Sequence, residues 1–122
     1  MQIEEQHGRR VHRLGTSGEP WSTNHATTDL IGEAMYSEVD LIVIPIERVD
    51  PAFFDLSSGI AGELLQRATN YRVRLAIVGD VAPWTAQSAS LRAFVEESQR
   101  GGHLWFVADD AALDARLAAA AA

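Results

Sequence analysis

The residues best suited to chemistry in this chain stand where its apolar runs break off. The first group is Asp55-Leu56-Ser57-Ser58-Gly59, just ahead of a periodic run that begins at Ile60. A helix start leaves backbone N–H groups unpaired and presents the positive end of the helix dipole, so an anion is favoured there. Ser57 and Ser58 offer hydroxyls for phosphorylation or for contact with an anionic ligand, with Asp55 and Gly59 completing the turn. Serine and aspartate also cap helices for purely structural reasons, and that plainer reading stands beside the functional one. The second group follows the run RLAIV. Gly79-Asp80 ends a strand at its carboxyl edge, where open α/β sheets place a ligand crevice. Asp80, Trp84 and Trp21 are candidate pocket walls there, and Asp80 and His103 are the candidate acid–base groups. Asp80 reads equally well as a turn residue, and Trp84 as a lid over the core. The third group, Glu63, Arg67 and Asn70, recurs at helical spacing and forms one polar face for a partner or for solvent. An ion pair between Glu63 and Arg67 would add only about 0.2–0.5 kcal/mol.

Other chemistries find no support in the residues. His7, His12, His25 and His103 show neither helical i, i+4 spacing nor a zinc-like pattern, so no metal is expected. There is no cysteine, hence no disulfide, thiolate nucleophile or thiolate metal site. No phosphate-binding glycine loop, dinucleotide fingerprint or Gly-x-Ser-x-Gly elbow occurs, and no nucleophile–base pair is recognisable. No cofactor is therefore expected, and the balance leans away from an enzyme.

The chain has 122 residues with 47% hydrophobic and 22% charged content, enough for one domain with one core. Its formal charge of −7 opposes general nucleic-acid binding, which relies on a basic face releasing phosphate counterions. The ten basic residues are all arginine and are scattered along the chain. The start, MQIEEQHGRR, is too polar for a signal peptide, and Leu41–Ile46 is far too short for a membrane span. A cytoplasmic protein without membrane contact is the expectation.

The elements that must hold these groups read clearly from residue 27 onward. Residues 1–25 look irregular, with a short strand around Val11 and Leu14 and turns at Gly8 and between Gly15 and Gly18. Thr27 or Thr28 is placed to cap a helix carrying Leu30, Ile31, Ala34 and Met35 on one stripe and ending near Tyr36 or Ser37. Residues 40–46 form a continuous apolar strand, with Pro45 confined to an end, a bulge or an edge. Leu56, Ile60, Ala61, Leu64, Leu65 and Ala68 give the period of an amphipathic helix. Gly59 and Gly62, one turn apart, suggest close approach of that backbone, by default to the sheet. Residues 73–79 form a second strand and 83–88 a loop. Leu91, Phe94, Val95 and Ser98 mark a helix stopped by Gly101-Gly102, and residues 103–107 a third strand. Asp109 or Asp110 caps a last helix. Strands alternating with helices predict one α/β domain over 1–122, organised around a central β-α-β unit at 40–80. A mainly parallel sheet of four to five strands, flanked by helices, follows.

The string PAFFDLSSGIAGELLQRATNYRVRLAIVGD, with SLRAFVEES and GGHLWFV after it, resembles the bacterial family labelled domain of unknown function 4180. That family's core reads FFDL..G.AGE.LQK..NY...LAIVGD. Phe53, Phe54, Asp55, Leu56, Gly59, Ala61, Gly62, Glu63, Leu65, Gln66, Asn70, Tyr71 and Leu75 to Asp80 match it. Arg67 replaces the usual lysine, Ser57-Ser58 a basic residue and threonine, and Ser98 departs near the end of the later helix. The resemblance covers nearly the whole chain and implies kinship without assigning an activity. A second resemblance is to the STAS domains of anti-sigma factor antagonists. There a strand, an Asp-Ser-Ser-Gly turn bearing the phosphorylated hydroxyl, an aliphatic helix and a strand ending in Val-Gly follow one another. Anchored on Gly59, Ser57 and Ser58 fall on the hydroxyl positions, while Leu56 stands where the aspartate belongs and Asp55 lies one position earlier. A phosphate there would be repelled by Asp55 and favoured by the helix dipole.

Together these features lead to the expectation of a STAS-like regulatory or protein-interaction module, with a protein partner or self-association as a homo-oligomer. The alternative is a small enzyme or small-molecule binder using a crevice at the carboxyl ends of the strands, walled by Trp21, Asp55, Asp80, Trp84 and His103.

Overall fold

The computed structural model describes residues 1–121. Strand β1 (Glu4–Gln6) and strand β2 (Arg9–Arg13) precede helix α1 (His25–Tyr36) and strand β3 (Leu41–Pro45). After a run of single-turn segments come α2 (Ile60–Tyr71), β4 (Arg74–Val78) and the one-turn α3 (Ala82–Thr85). Helix α4 (Ala89–Arg100), β5 (Leu104–Val107) and α5 (Asp110–Ala121) complete the chain.

The five strands lie in one sheet in chain order. β1 and β2 pair antiparallel, while β2–β3, β3–β4 and β4–β5 pair parallel. The sheet is therefore mixed, which corrects the expectation of a mainly parallel one. The cause is the tight link at His7-Gly8, where both residues have positive φ (51° and 79°). Two left-handed residues in a row match the twist of a hairpin, so residues 4–13 fold back on themselves rather than remaining irregular.

Sequential order with right-handed crossovers requires the connecting helices to share one face. Ile31 and Ala34 of α1, Ala61, Leu64 and Ala68 of α2, and Leu91 of α4 indeed form one core with Ile42, Ile44, Leu75, Ile77, Leu104 and Phe106. The intervening strand residues point the other way, as a two-residue period demands. Val11, Leu41, Val43, Ala76, Trp105 and Val107 pack against Leu113 and Leu117 of α5. Both faces are covered, which is why β3, β4 and β5 read as unbroken apolar runs.

Several local expectations are corrected by packing. Helix α1 starts earlier than predicted because Asn24, not a threonine, accepts the Thr27 N–H at 2.9 Å. Thr27 is instead buried, its hydroxyl accepting from the Ser22 N–H at 3.1 Å. Met35 lies off the buried stripe and is 48% exposed, and Tyr36 is 87% exposed. Residues 82–85 form a helical turn that overlaps the loop predicted at 83–88. The close approach expected at Gly62 is absent: a Cβ there would meet no atom within 4 Å. Gly79 is the crowded one, since with φ +150° a Cβ would come within 2.3 Å of the Ile46 side chain. Among the described residues no helix is long and apolar enough to cross a membrane.

Candidate functional site

The connection from β3 to α2 is built from short turns that aspartates hold shut. Asp50 accepts the Ala52 N–H at 3.0 Å and opens the single turn Pro51–Phe54. Asp55 accepts the Ser57 N–H at 3.0 Å and opens the next turn, Leu56–Ser58. Gly59 follows with φ +79°, a left-handed conformation that glycine adopts without steric cost, and α2 begins at Ile60. Ser57 and Ser58 thus lie in a turn of their own, one residue ahead of the helix rather than as its cap.

The two hydroxyls are held differently. Ser57 Oγ donates to Asp55 Oδ1 at 2.6 Å. Ser58 Oγ donates to the Ala52 carbonyl at 2.7 Å and accepts the Ile60 N–H at 3.3 Å. Both serines, with Asp55 and Gly59, are exposed. Beneath them Phe53 and Phe54 are buried, and Phe54 stacks on Trp84 with ring centroids 4.2 Å apart and 17° between planes. This stack brings Trp84, from the segment after β4, against the turn that precedes the serines.

Other predicted groups are placed elsewhere. Asp80 is exposed and accepts the Ala82 N–H at 2.9 Å, so it ties its own turn. His103 precedes β5 and therefore lies at the amino edge of the sheet, while Asp80 follows β4 at the carboxyl edge. The parallel pairing of β4 and β5 keeps these two acid–base candidates apart. Trp21 is 2% exposed and bridges to Val49, acting as core. Its indole N–H is buried without an acceptor among the described residues. Arg67 does pair with Glu63 at 2.7 Å, but it also donates to Thr28 Oγ1 on α1. Part of the predicted partner face is thus spent joining two helices, and Asn70 stays exposed beside it.

A hollow does lie at the carboxyl ends of β2 to β5, but sequence reasoning missed the residues that line it, and none of the walls it named is among them. The hollow has a volume of about 460 Å³ and is lined by Arg13, Thr16, Pro45, Glu47, Asp109 and Asp110, among others. Arg13 there is tied to Glu4 and lies 3.5 Å from Asp110. Asp109 caps α5 through the Ala112 N–H at 2.8 Å. The available signal was that Glu47 and Asp109 stand just past the ends of apolar strands, whereas Arg13 ends the mostly polar β2 and carried no such mark.

The fold and the turn at its centre define a single-domain α/β protein with a hydroxyl-bearing seam between a strand and its crossover helix. A family model described as a domain of unknown function (DUF4180) matches residues 6–117, and the chain belongs to that family. No curated protein and no solved structure matched it.

Proposed function

We propose that the chain is a STAS-like regulatory module that works by protein contact, with the Ser57-Ser58 turn as its switch. The observation that carries this reading is the Ser58 hydroxyl, exposed and bonded at once to the turn before it and to the first N–H of α2. A phosphate on Ser58 adds about −1.5 to −2 charges at the unpaired N–H groups of α2, where the dipole favours it. It also removes the proton that Ser58 donates to Ala52, loosening the turn that carries Phe53 and Phe54. The stack of Phe54 on Trp84 passes that change to a second segment. Ser57 is the poorer position, because its phosphate would face Asp55 from the place where the hydroxyl now sits at 2.6 Å. The order strand, Asp-x-Ser-Ser-Gly, helix, strand supports the likeness to STAS domains on which the reading rests.

The test is native mass spectrometry of the protein taken from its own cell, read for phosphate, oligomer size and bound partner together. Phosphate on Ser58 is expected, and Ser58→Asp should release the partner that the unmodified chain holds. Unchanged partner binding in both Ser57→Ala and Ser58→Ala would remove the switch from consideration. A second reading, a small enzyme or small-molecule binder acting at the carboxyl ends of the strands, draws on the 460 Å³ hollow beside Arg13 and Asp110. A ligand-induced rise in Tm that Arg13→Ala abolishes would favour it.

A further inference from the structure

At the opposite, amino edge of the sheet a groove of about 410 Å³ runs between α2 and α4. Its size suits a small organic molecule. Leu65, Phe94 and Leu104 supply an apolar floor, and polar groups gather at the end formed by Ser98, Arg100, Gly101, Gly102 and His103. Ser98 is only 7% exposed, lines the groove and makes no side-chain hydrogen bond among the described residues. Its oxygen is not among the buried atoms that lack a partner, so the hydroxyl keeps an opening to solvent beside the groove. Threonines elsewhere in this chain return such a proton to the carbonyl four residues back, as Thr69 does to Leu65 at 2.8 Å.

The last carbonyls of α4 oppose an anion here, but the other groups at this end are mostly donors. Neither the N–H of Gly102 nor that of His103 donates to another described group, and no side-chain partner engages the His103 ring. Arg100 is held only by Glu97, at 3.5 Å, and both side chains are 78% exposed. Glu97 is the one carboxylate on the rim. A hydroxyl, two backbone N–H groups, an imidazole and a guanidinium together suit an oxyanion, and a planar guanidinium suits a carboxylate in particular.

We propose that this groove binds a small carboxylic acid, its apolar body on Leu65, Phe94 and Leu104 and its carboxylate among Ser98, Arg100 and His103. The ligand carboxylate takes the place of Glu97 on Arg100, whose open ion pair is easily exchanged in water. This site is separate from the Ser57-Ser58 turn and stands whether or not that turn is a switch.

The experiment is amide NMR of the full chain titrated with octanoate, and with 1-octanol as the uncharged comparison. Octanoate should shift the amides of Leu65, Phe94, Gly102 and His103 together, and octanol should bind roughly tenfold more weakly or worse. Arg100→Gln combined with His103→Gln should erase that preference for the acid, whereas Glu97→Gln should strengthen octanoate binding. Thr69→Trp, a change at an exposed position on the groove wall, should block both probes while the rest of the spectrum stays folded. The proposal is overturned if octanoate leaves these amides unmoved, if octanol binds equally well, or if Thr69→Trp has no effect.

Discussion

Asp50, Asp55 and Asp80 each close a turn by accepting the N–H two residues on, and Asp109 caps α5. At the scale of single residues, the acids that suggested chemistry at the carboxyl edge are first of all what holds the chain's corners. The glycines divide in a similar way. Gly59 is required by its positive φ and Gly79 by the Ile46 side chain against it, whereas Gly62 has open space around it. Gly62→Ala should therefore raise stability by about 0.5–1 kcal/mol, because alanine restricts the unfolded chain and suits a helix interior better. Gly79→Ala should lower it by about 2 kcal/mol or more through overpacking and backbone strain. Urea unfolding of the two variants measures both signs. The match to the family string gave no means of separating these glycines, since spacing does not report what lies opposite a residue in space.

At the scale of elements, helix α1 shows how caps and packing share control. Asn24 caps it, and Ile31 and Ala34 seat it on the sheet. Arg67 then fastens it to α2 by donating to Thr28 while paired with Glu63. Asn24→Ala should cost about 1 kcal/mol, the usual loss of an N-cap, while Thr28→Val should uncouple Arg67 from α1 and leave the cap intact. Thermal unfolding with hydrogen exchange at the first turn of α1 distinguishes the two, since only Asn24→Ala should speed exchange there. The four long helices, β3, β4 and β5 were legible because period and apolar runs are local signals, whereas the one-turn α3 was read as loop. The β1–β2 hairpin was not, because its strands are mostly polar and its turn is His7-Gly8 rather than a familiar Asn-Gly pair.

At the scale of the whole molecule, parallel pairing sorts charge along the strand direction. Arg9, Arg10, Arg72 and Arg74 all stand at the amino ends of strands, with Glu38 and Asp40 among them. Glu47, Asp50, Asp55, Asp80, Asp109 and Asp110 follow the carboxyl ends, with Arg13 and Arg48. On the α5 face, the guanidinium groups of Arg74 and Arg116 lie 4.5 and 4.1 Å from the centre of the Trp105 ring. Burial, together with Arg9 and Arg116, lowers the pKa of Arg74, and burial lowers that of Arg116. A chain acidic on average thus carries a basic edge, which net charge alone could not reveal. The first hairpin is tied to α5 by Asp114, which accepts from Gln6 at 3.1 Å and lies 2.8 Å from the His7 ring nitrogen. Those hydrogen bonds, the His7 one foremost, hold the Asp114 carboxyl below its ordinary 3.8. A depressed folded-state pKa means that the tie contributes fully above the ordinary value and fades as pH falls through the lower one. An NMR titration of the Asp114 carboxyl carbon should show a midpoint below 3.8 that returns upward in His7→Ala.

The sequence by itself determined the four long helices, the three apolar strands and the family, because periodicity, capping residues and a long matched string are carried by neighbours in the chain. It also marked Asp55–Gly59 as a seam between a strand and a helix. Only the tertiary structure decided that the serines occupy a separate turn ahead of α2, that Phe54 of the turn before it stacks on Trp84, and that Asp80 and His103 lie at opposite edges of the sheet. It alone left the Ser98 hydroxyl without a hydrogen-bond partner among the described residues, beside a groove between two helices. The physical reason is common to all of these. Strand pairing and side-chain packing act between residues far apart in the chain, and no local pattern encodes which of them will meet.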